Sequence, residues 1–151
     1  MSVGIGYDSH RFADGRRLIL GGVEVEHPRG LSGHSDADVL THAVIDALLG
    51  AAGSGDIGTL FPDDDELWRD SDSIDLLRTV VGTVAGRIVN IDATLVCEEP
   101  RIGPLRSEME RILAEATSAR VSVKATTNEG MGWIGRGEGI ACIAVASVES
   151  D

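Results

Sequence analysis

MSVGIGYDSHRF (residues 1–12) decides how the rest of the chain is read. Val3, Ile5 and Tyr7 alternate with Gly4, Gly6 and Asp8, the period of a β-strand. Residues two apart in a strand share a face, so a strand that runs to position 10 projects Asp8 and His10 the same way. The chain holds four histidines, and this run ends on one of them, two places after a carboxylate.

Outward from that strand, LILGGVEVE (18–26) reads as a second strand with a glycine bend. SDADVLTHAVIDALLGAAG (35–53) then changes to helical spacing, with Val39, Leu40, Ala43, Val44, Ala47 and Leu48 in one apolar stripe. Ser35 is the expected N-cap, with Asp38 three residues on as a variant capping box, and Gly53 and Gly55 punctuate the end. GSGDIGTLFPDDD (53–65) reads as a loop, 72–87 as a second helix weakened by Gly82, and 88–97 as a strand. EPRIGP (99–104) is a turn that places Pro104 in the first turn of a helix over 105–118. VSVKATT is a strand, NEGMGWIGRGEG a glycine-rich loop, and IACIAVASV (140–148) a last strand with so little polar interruption that burial on both faces is expected. The pattern predicts a single α/β (α+β) domain over 1–151, a mixed sheet with helices packed on one face.

Composition bounds the function. With 42% apolar and 25% charged residues, the chain reads as ordinary globular protein with enough length for one core. The N-terminus lacks a basic region followed by an apolar stretch, and no apolar run approaches a membrane span, so a cytoplasmic protein without a signal peptide is expected. Cys97 and Cys142 are the only cysteines, too few for a disulfide framework or a cysteine-only zinc site. A net charge of −12 disfavours nucleic acid and anionic membrane as partners. A small anionic ligand remains compatible if local cations or metal ions offset the repulsion.

Asp8, His10 and His42 form a suitable donor set for catalytic Zn²⁺, provided the helix packs His42 against the first strand. Taken singly, His42 reads more simply as a partly buried histidine bonded to a neighbour, and sequence alone does not place it beside positions 8 and 10. His34 and Ser35 precede the helix, where unpaired N–H groups favour a phosphate, though Ser35 and Asp36 serve equally well as plain capping residues. His27, before Pro28, reads as an exposed loop residue without a role. In KATTNEGMGWIGRGEGI (124–140), Thr126 and Thr127 supply hydroxyls and the glycines allow close approach to a phosphate. Glu129 among such donors would repel a phosphate unless a divalent cation such as Mg²⁺ lay between them. Asp56 suits a substrate hydroxyl, while Asp63, Asp64 and Asp65 resemble a solvated acidic turn.

GYDSHRF, LSGHSDADVLTHAVIDALLGAAGSGDIGTLFPDDD and KATTNEGMGWIGRGEGIA closely resemble the 2-C-methyl-D-erythritol 2,4-cyclodiphosphate synthase family, in the same order and over nearly the whole chain. The stretch 66–95 carries little of the resemblance. It implies a lyase of non-mevalonate isoprenoid biosynthesis, a homotrimer with active sites between adjacent subunits. The substrate would be 4-diphosphocytidyl-2-C-methyl-D-erythritol 2-phosphate, whose 2-phosphate attacks the β-phosphorus and releases CMP. The resemblance implies Asp8, His10 and His42 as zinc ligands, Glu129 as the ligand of Mg²⁺ or Mn²⁺, and His34 and Thr127 as catalytic residues. Substrate binding is implied for Asp8, Ser9, His10, His34, Ser35, Asp56, Ile57 and Gly58, for Phe61, Pro62, Asp63, Asp64 and Asp65, and for Thr126, Thr127, Asn128, Glu129, Trp133 and Arg136. Cys97, Glu98, Glu99, Pro100, Arg101, Ile102 and Gly103 match the segment that binds cytidine across the subunit interface. This chain departs from relatives at Glu98 and Glu99, which tend to be neutral there, at Arg101, at Trp133 in place of phenylalanine, and at Ile143. Two other readings use the same residues: a zinc-dependent phosphohydrolase that activates water, and a non-catalytic trimeric metal- or nucleotide-binding protein.

Overall fold

The structure is a computed structural model that describes residues 1–150. Strand β1 (Ser2–Ala13) is long and regular, and its two faces have different fates. Gly4 and Gly6 are buried, whereas Val3, Ile5 and Tyr7 are exposed. A Cβ on Gly4 would lie 2.1 Å from the Ala47 carbonyl oxygen, and one on Gly6 would lie 1.9 Å from that of Ala43. Both carbonyls belong to helix α1 (Val39–Ala52), so the absent side chains let the helix backbone lie directly on the strand.

The main sheet has five strands in the order β4-β1-β7-β5-β6. Strands β4 (Gly30–Leu31) and β7 (Gly139–Glu149) each pair antiparallel with β1, and β5 (Arg87–Val96) pairs antiparallel with β7. Only β5 and β6 (Arg120–Thr126) run parallel, joined by the crossover helix α4 (Arg106–Thr117). The sheet is therefore mixed, with α1, α3 (Ser73–Val81) and α4 on one face, as expected. No described helix is long and apolar enough to cross a membrane.

Several local expectations change. The second strand is a hairpin of β2 (Leu18–Leu20) and β3 (Val23–Val25), because Gly21 and Gly22 both take positive φ, at 57° and 75°, and close a tight turn. The N-cap of α1 is Asp38, not Ser35. Ser35 Oγ accepts the Ala37 N–H, Asp36 Oδ1 accepts the Asp38 N–H, and Ala37 sits at φ 56°, so local side-chain turns delay the helix by three residues. Helix α3 stops at Val81, before Gly82, well short of residue 87. The loops contain two further short helices, α2 (Ile57–Leu60) and α5 (Gly132–Gly135). His27 is half-buried, its ring stacked on Phe12 at 5.0 Å, rather than an exposed loop residue.

Strand β7 is not buried on both faces. Its inward residues Ile140, Cys142, Ala144, Ala146 and Val148 join the core, but Ile143 and Val145 are exposed. Register places Ile143 opposite Tyr7 and Val145 opposite Ile5, so with Val3 they form an apolar band across the outer face of the sheet. Helix α1 is buried almost all round, with the sheet on one side and α3 on the other. That placement carries His42 into the interior beside β1.

Candidate active site

The opening strand and the central helix bring three donors together. Asp8 Oδ2 lies 2.8 Å from His10 Nε2 and 3.2 Å from His42 Nδ1. The two ring nitrogens are 3.3 Å apart. Ligands held tetrahedrally at about 2.0–2.1 Å from a zinc ion lie about 3.3 Å from one another, so the triangle has the size the ion requires. Orientation agrees with size. His10 Nδ1 donates to the Ser32 carbonyl oxygen at 2.7 Å, which leaves Nε2 as the lone-pair atom facing Asp8. Without a cation, two ring nitrogens and a carboxylate oxygen converge on one point. Burial pushes the Asp8 carboxyl up, but hydrogen bonds to His10 and His42 outweigh it and hold its pKa at about 2. Burial lowers the His10 pKa, and Asp8 more than offsets this by hydrogen bond and charge, leaving it raised. The carboxylate of Asp8 thus favours the charged form of the His10 ring, as it would favour a bound cation.

These donors form one wall of a cavity of about 330 Å³. His34, Ser35, Ile57, Gly58, Phe61 and Asp63 line it too, so residues from three separated stretches meet there. His34 Nε2 donates to the Asp65 carbonyl oxygen at 3.0 Å, tying the loop before α1 to the acidic loop. Asp56 caps α2: one oxygen, Oδ1, accepts both the Thr59 N–H at 2.8 Å and the Thr59 hydroxyl at 2.9 Å. Those bonds lower its pKa, and Asp56 itself is exposed and does not line the cavity. Pro62 and Asp64 belong to the same loop, and Asp65 caps the 3-10 turn that follows.

A second cavity, of about 620 Å³, holds the other group of expected residues. Cys97, Glu98, Pro100, Arg101, Ile102 and Gly103 line it together with Thr126 and Thr127. Glu98 points its carboxylate at the glycine-rich loop, where Oε1 accepts the N–H groups of Asn128 at 3.0 Å and Gly130 at 3.1 Å. These two bonds bracket Glu129, which is exposed and held at φ 53°. Ser9 and Trp133 share a third opening with His10, Arg11 and Glu138, and Arg136 is exposed, its Nε donating to Glu138 at 2.7 Å. Glu99 is exposed beside the second cavity but does not line it. Within one chain, the residues around Asp8 and those around Glu129 therefore line different openings.

A model of the YgbB family matches residues 1–149. The chain belongs to the YgbB family. A curated relative from Symbiobacterium thermophilum, named 2-C-methyl-D-erythritol 2,4-cyclodiphosphate synthase, is 58% identical, with 98% of each chain covered. One of the same name from Salinibacter ruber is 55% identical over 99% of each. The solved bifunctional IspDF of Campylobacter jejuni superposes with a TM-score of 0.92 at 38% identity, covering 96% of this chain and 41% of that one. A CDP-bound 2C-methyl-D-erythritol-2,4-cyclodiphosphate synthase superposes with a TM-score of 0.87 at 34% identity, covering 97% of this chain and 99% of that one. In this member of the YgbB family, the stretches GYDSHRF and 31–65 supply most of the lining of the first cavity.

Some residues in and around the first cavity carry no signal in the sequence. Trp68 and Leu76 line the first cavity, and Trp68 meets Phe61 edge-on at 4.8 Å. Asp46, one turn beyond His42, accepts the Ile57 N–H at 2.8 Å and so anchors the start of α2 to α1. A period-3.6 reading gives the helical partner of Asp46 no identity, because Ile57 lies in a different element. Cys97 and Cys142 are both free and buried, and burial pushes the Cys97 thiol up to about 11.

Proposed function

We propose that this chain converts 4-diphosphocytidyl-2-C-methyl-D-erythritol 2-phosphate into 2-C-methyl-D-erythritol 2,4-cyclodiphosphate with release of CMP, as a lyase of the non-mevalonate isoprenoid route. The observation that carries this reading is the donor triangle of Asp8, His10 and His42, with edges of 2.8, 3.2 and 3.3 Å, at the wall of a cavity built by the family's motifs. Asp8, His10 and His42 would hold Zn²⁺, and Glu129 the second divalent cation, Mg²⁺ or Mn²⁺. When bound, these ions supply positive charge against the phosphoryl oxygens.

The attacking group is a phosphate oxygen that is already anionic, so no protein nucleophile and no strong base is needed. The residues act by positioning and by excluding water. His34, fixed by its bond to the Asp65 carbonyl, and Thr127 serve as the catalytic pair that steadies the transferring phosphoryl group. Ser35 holds phosphate. Asp56 keeps one oxygen free to accept from an erythritol hydroxyl, and Ile57, Gly58 and Phe61 through Asp65 shape that end of the pocket. Cys97 through Gly103 take the cytosine mainly by backbone groups, with Thr126, Asn128, Trp133, Arg136 and Ser9 completing the contacts. Since one chain splits these residues among separate openings, the complete site forms between copies in a homotrimer. The apolar band of Val3, Ile5, Tyr7, Ile143 and Val145 supplies a surface for that assembly. Two free cysteines and a phosphorylated metabolite as substrate suit the cytoplasm.

The test is incubation of the zinc- and magnesium-loaded protein with the diphosphocytidyl substrate, followed by ³¹P NMR. Cyclic diphosphate and CMP in equal amounts are the expected products. A linear phosphate product would instead establish a phosphohydrolase, and no turnover with metal and CDP bound would leave a binding protein.

A further inference from the structure

His42 uses one ring nitrogen at the donor cluster, and its other ring nitrogen is enclosed by protein. Nε2 lies 2.8 Å from Ser73 Oγ and 3.1 Å from Ser35 Oγ. Ser73 is fully buried at the first residue of α3, a helix that the sequence resemblance barely touches. Its hydroxyl also meets Asp36 Oδ1, and its backbone N–H donates to Asp36 Oδ2 at 3.0 Å.

Counting protons fixes the direction of every bond in this chain. A carboxylate only accepts, and a serine hydroxyl has one proton to give. Ser73 gives that proton to Asp36. Its remaining contact, His42 Nε2, must then be a donor, so the proton of the neutral ring sits on Nε2. Nδ1 keeps the lone pair, and Nδ1 is the atom 3.2 Å from Asp8 and 3.3 Å from His10.

We propose that Ser73, backed by Asp36, is a positioning residue that locks the ring of His42 and selects Nδ1 as the cation ligand. The inference rests on the metal-site reading above and names residues outside the donor set. It is the carboxylate–histidine–metal arrangement with a serine inserted between carboxylate and ring. The Ser73 hydroxyl does not cap α3, because the N-cap is Asp72, whose side chain accepts the Ile74 N–H at 2.8 Å.

The experiment measures Zn²⁺ affinity by chelator competition in the native protein and in Ser73→Ala, Ser73→Thr and Asp36→Asn, with ¹H–¹⁵N spectra of the histidine rings. Ser73→Ala is expected to weaken Zn²⁺ binding about tenfold or more. Ser73→Thr, which retains the hydroxyl, is expected to restore most of it, and Asp36→Asn to fall between. In the native metal-free protein, His42 should show a slowly exchanging proton on Nε2, which Ser73→Ala converts to fast exchange. Should Ser73→Ala fail to fold, Asp36→Asn and the native spectrum decide. Zn²⁺ affinity within twofold of native in Ser73→Ala, native-like affinity in Asp36→Asn where Ser73→Ala does not fold, or a native ring with its proton on Nδ1 overturns the role of Ser73 while leaving the metal site standing. Failure of the native protein to bind Zn²⁺ removes both.

Discussion

The Asp38 carboxylate is fully buried and accepts four hydrogen bonds. Oδ1 takes the N–H groups of Gly21 and Thr41, and Oδ2 takes the Gly22 N–H and the Thr41 hydroxyl. One side chain thus caps α1 and also fastens the β2–β3 turn to it. Asp38→Ala leaves all four donors buried and unpaired, and is expected to cost about 3 kcal/mol or more, read as a lowered urea midpoint with unchanged m-value. At the donor cluster the prediction concerns pH. The raised pKa of His10 gives the metal-free protein stability that is present below the ordinary value near 6.5 and is lost as pH rises through the folded value. The lowered pKa of Asp8 gives stability present above 3.8 and lost as pH falls toward about 2. Zn²⁺ competes with the His10 proton, so the rise in Tm on adding Zn²⁺ should grow between about pH 6 and pH 8. His10→Ala should abolish that rise at both pH values while leaving the chain folded; a full Zn²⁺-induced shift in the variant would remove His10 from the ligand set.

Between elements, the contact of α1 with β1 controls the geometry of the site. His42 can reach Asp8 only because Gly4 and Gly6 let the helix backbone touch the strand. A Cβ at Gly6, 1.9 Å from a backbone oxygen, cannot be absorbed by a side-chain rotation. Gly6→Ala should therefore push α1 outward, costing on the order of 3 kcal/mol by overpacking and weakening Zn²⁺ binding together. Equal stability and equal Zn²⁺ affinity in Gly6→Ala would show that the helix has slack. The glycine-rich loop is held differently. Glu98 grips it through the N–H groups of Asn128 and Gly130, so Glu98→Gln, which keeps an accepting oxygen, should preserve Mg²⁺-dependent turnover. Glu98→Ala should raise the Mg²⁺ concentration needed for half-maximal rate by several-fold and leave Zn²⁺ affinity alone.

For the molecule as a whole, the outer face of the sheet is the feature a lone chain does not explain. Ile5 is 70% exposed and Val3 64%, on a regular strand in the middle of the order β4-β1-β7. Three such faces closing on one another would remove that surface from water, at roughly 25 cal/mol per Å² of apolar area. If this face closes the proposed homotrimer, Ile5→Lys should give a monomer in sedimentation velocity and abolish turnover, since the Cys97–Gly103 segment would lose the neighbouring cavity it is proposed to complete. A monomeric variant with full activity would mean that each chain holds a complete site.

Periodicity alone predicted strands at 3–10, 88–97 and 121–127, helices over 35–53 and 105–118, and helices layered against a sheet, and the structure has elements at each of these places. These follow from local spacing and from the need to cover an apolar sheet face. The shared face of Asp8 and His10 was also legible, because strand geometry is set by the backbone. Three things were not. The apolar residues of the first strand face outward and its glycines face the core, a reversal that depends on which element packs on the strand. The hairpin at 18–25 and the late start of α1 depend on Asp38, whose partners lie in another element. Ser73 reaches His42 only through the packing of α3 on α1, across 31 residues of chain. Sequence spacing fixes directions within an element, while the distance between donors on different elements is fixed by how closely their backbones can pack.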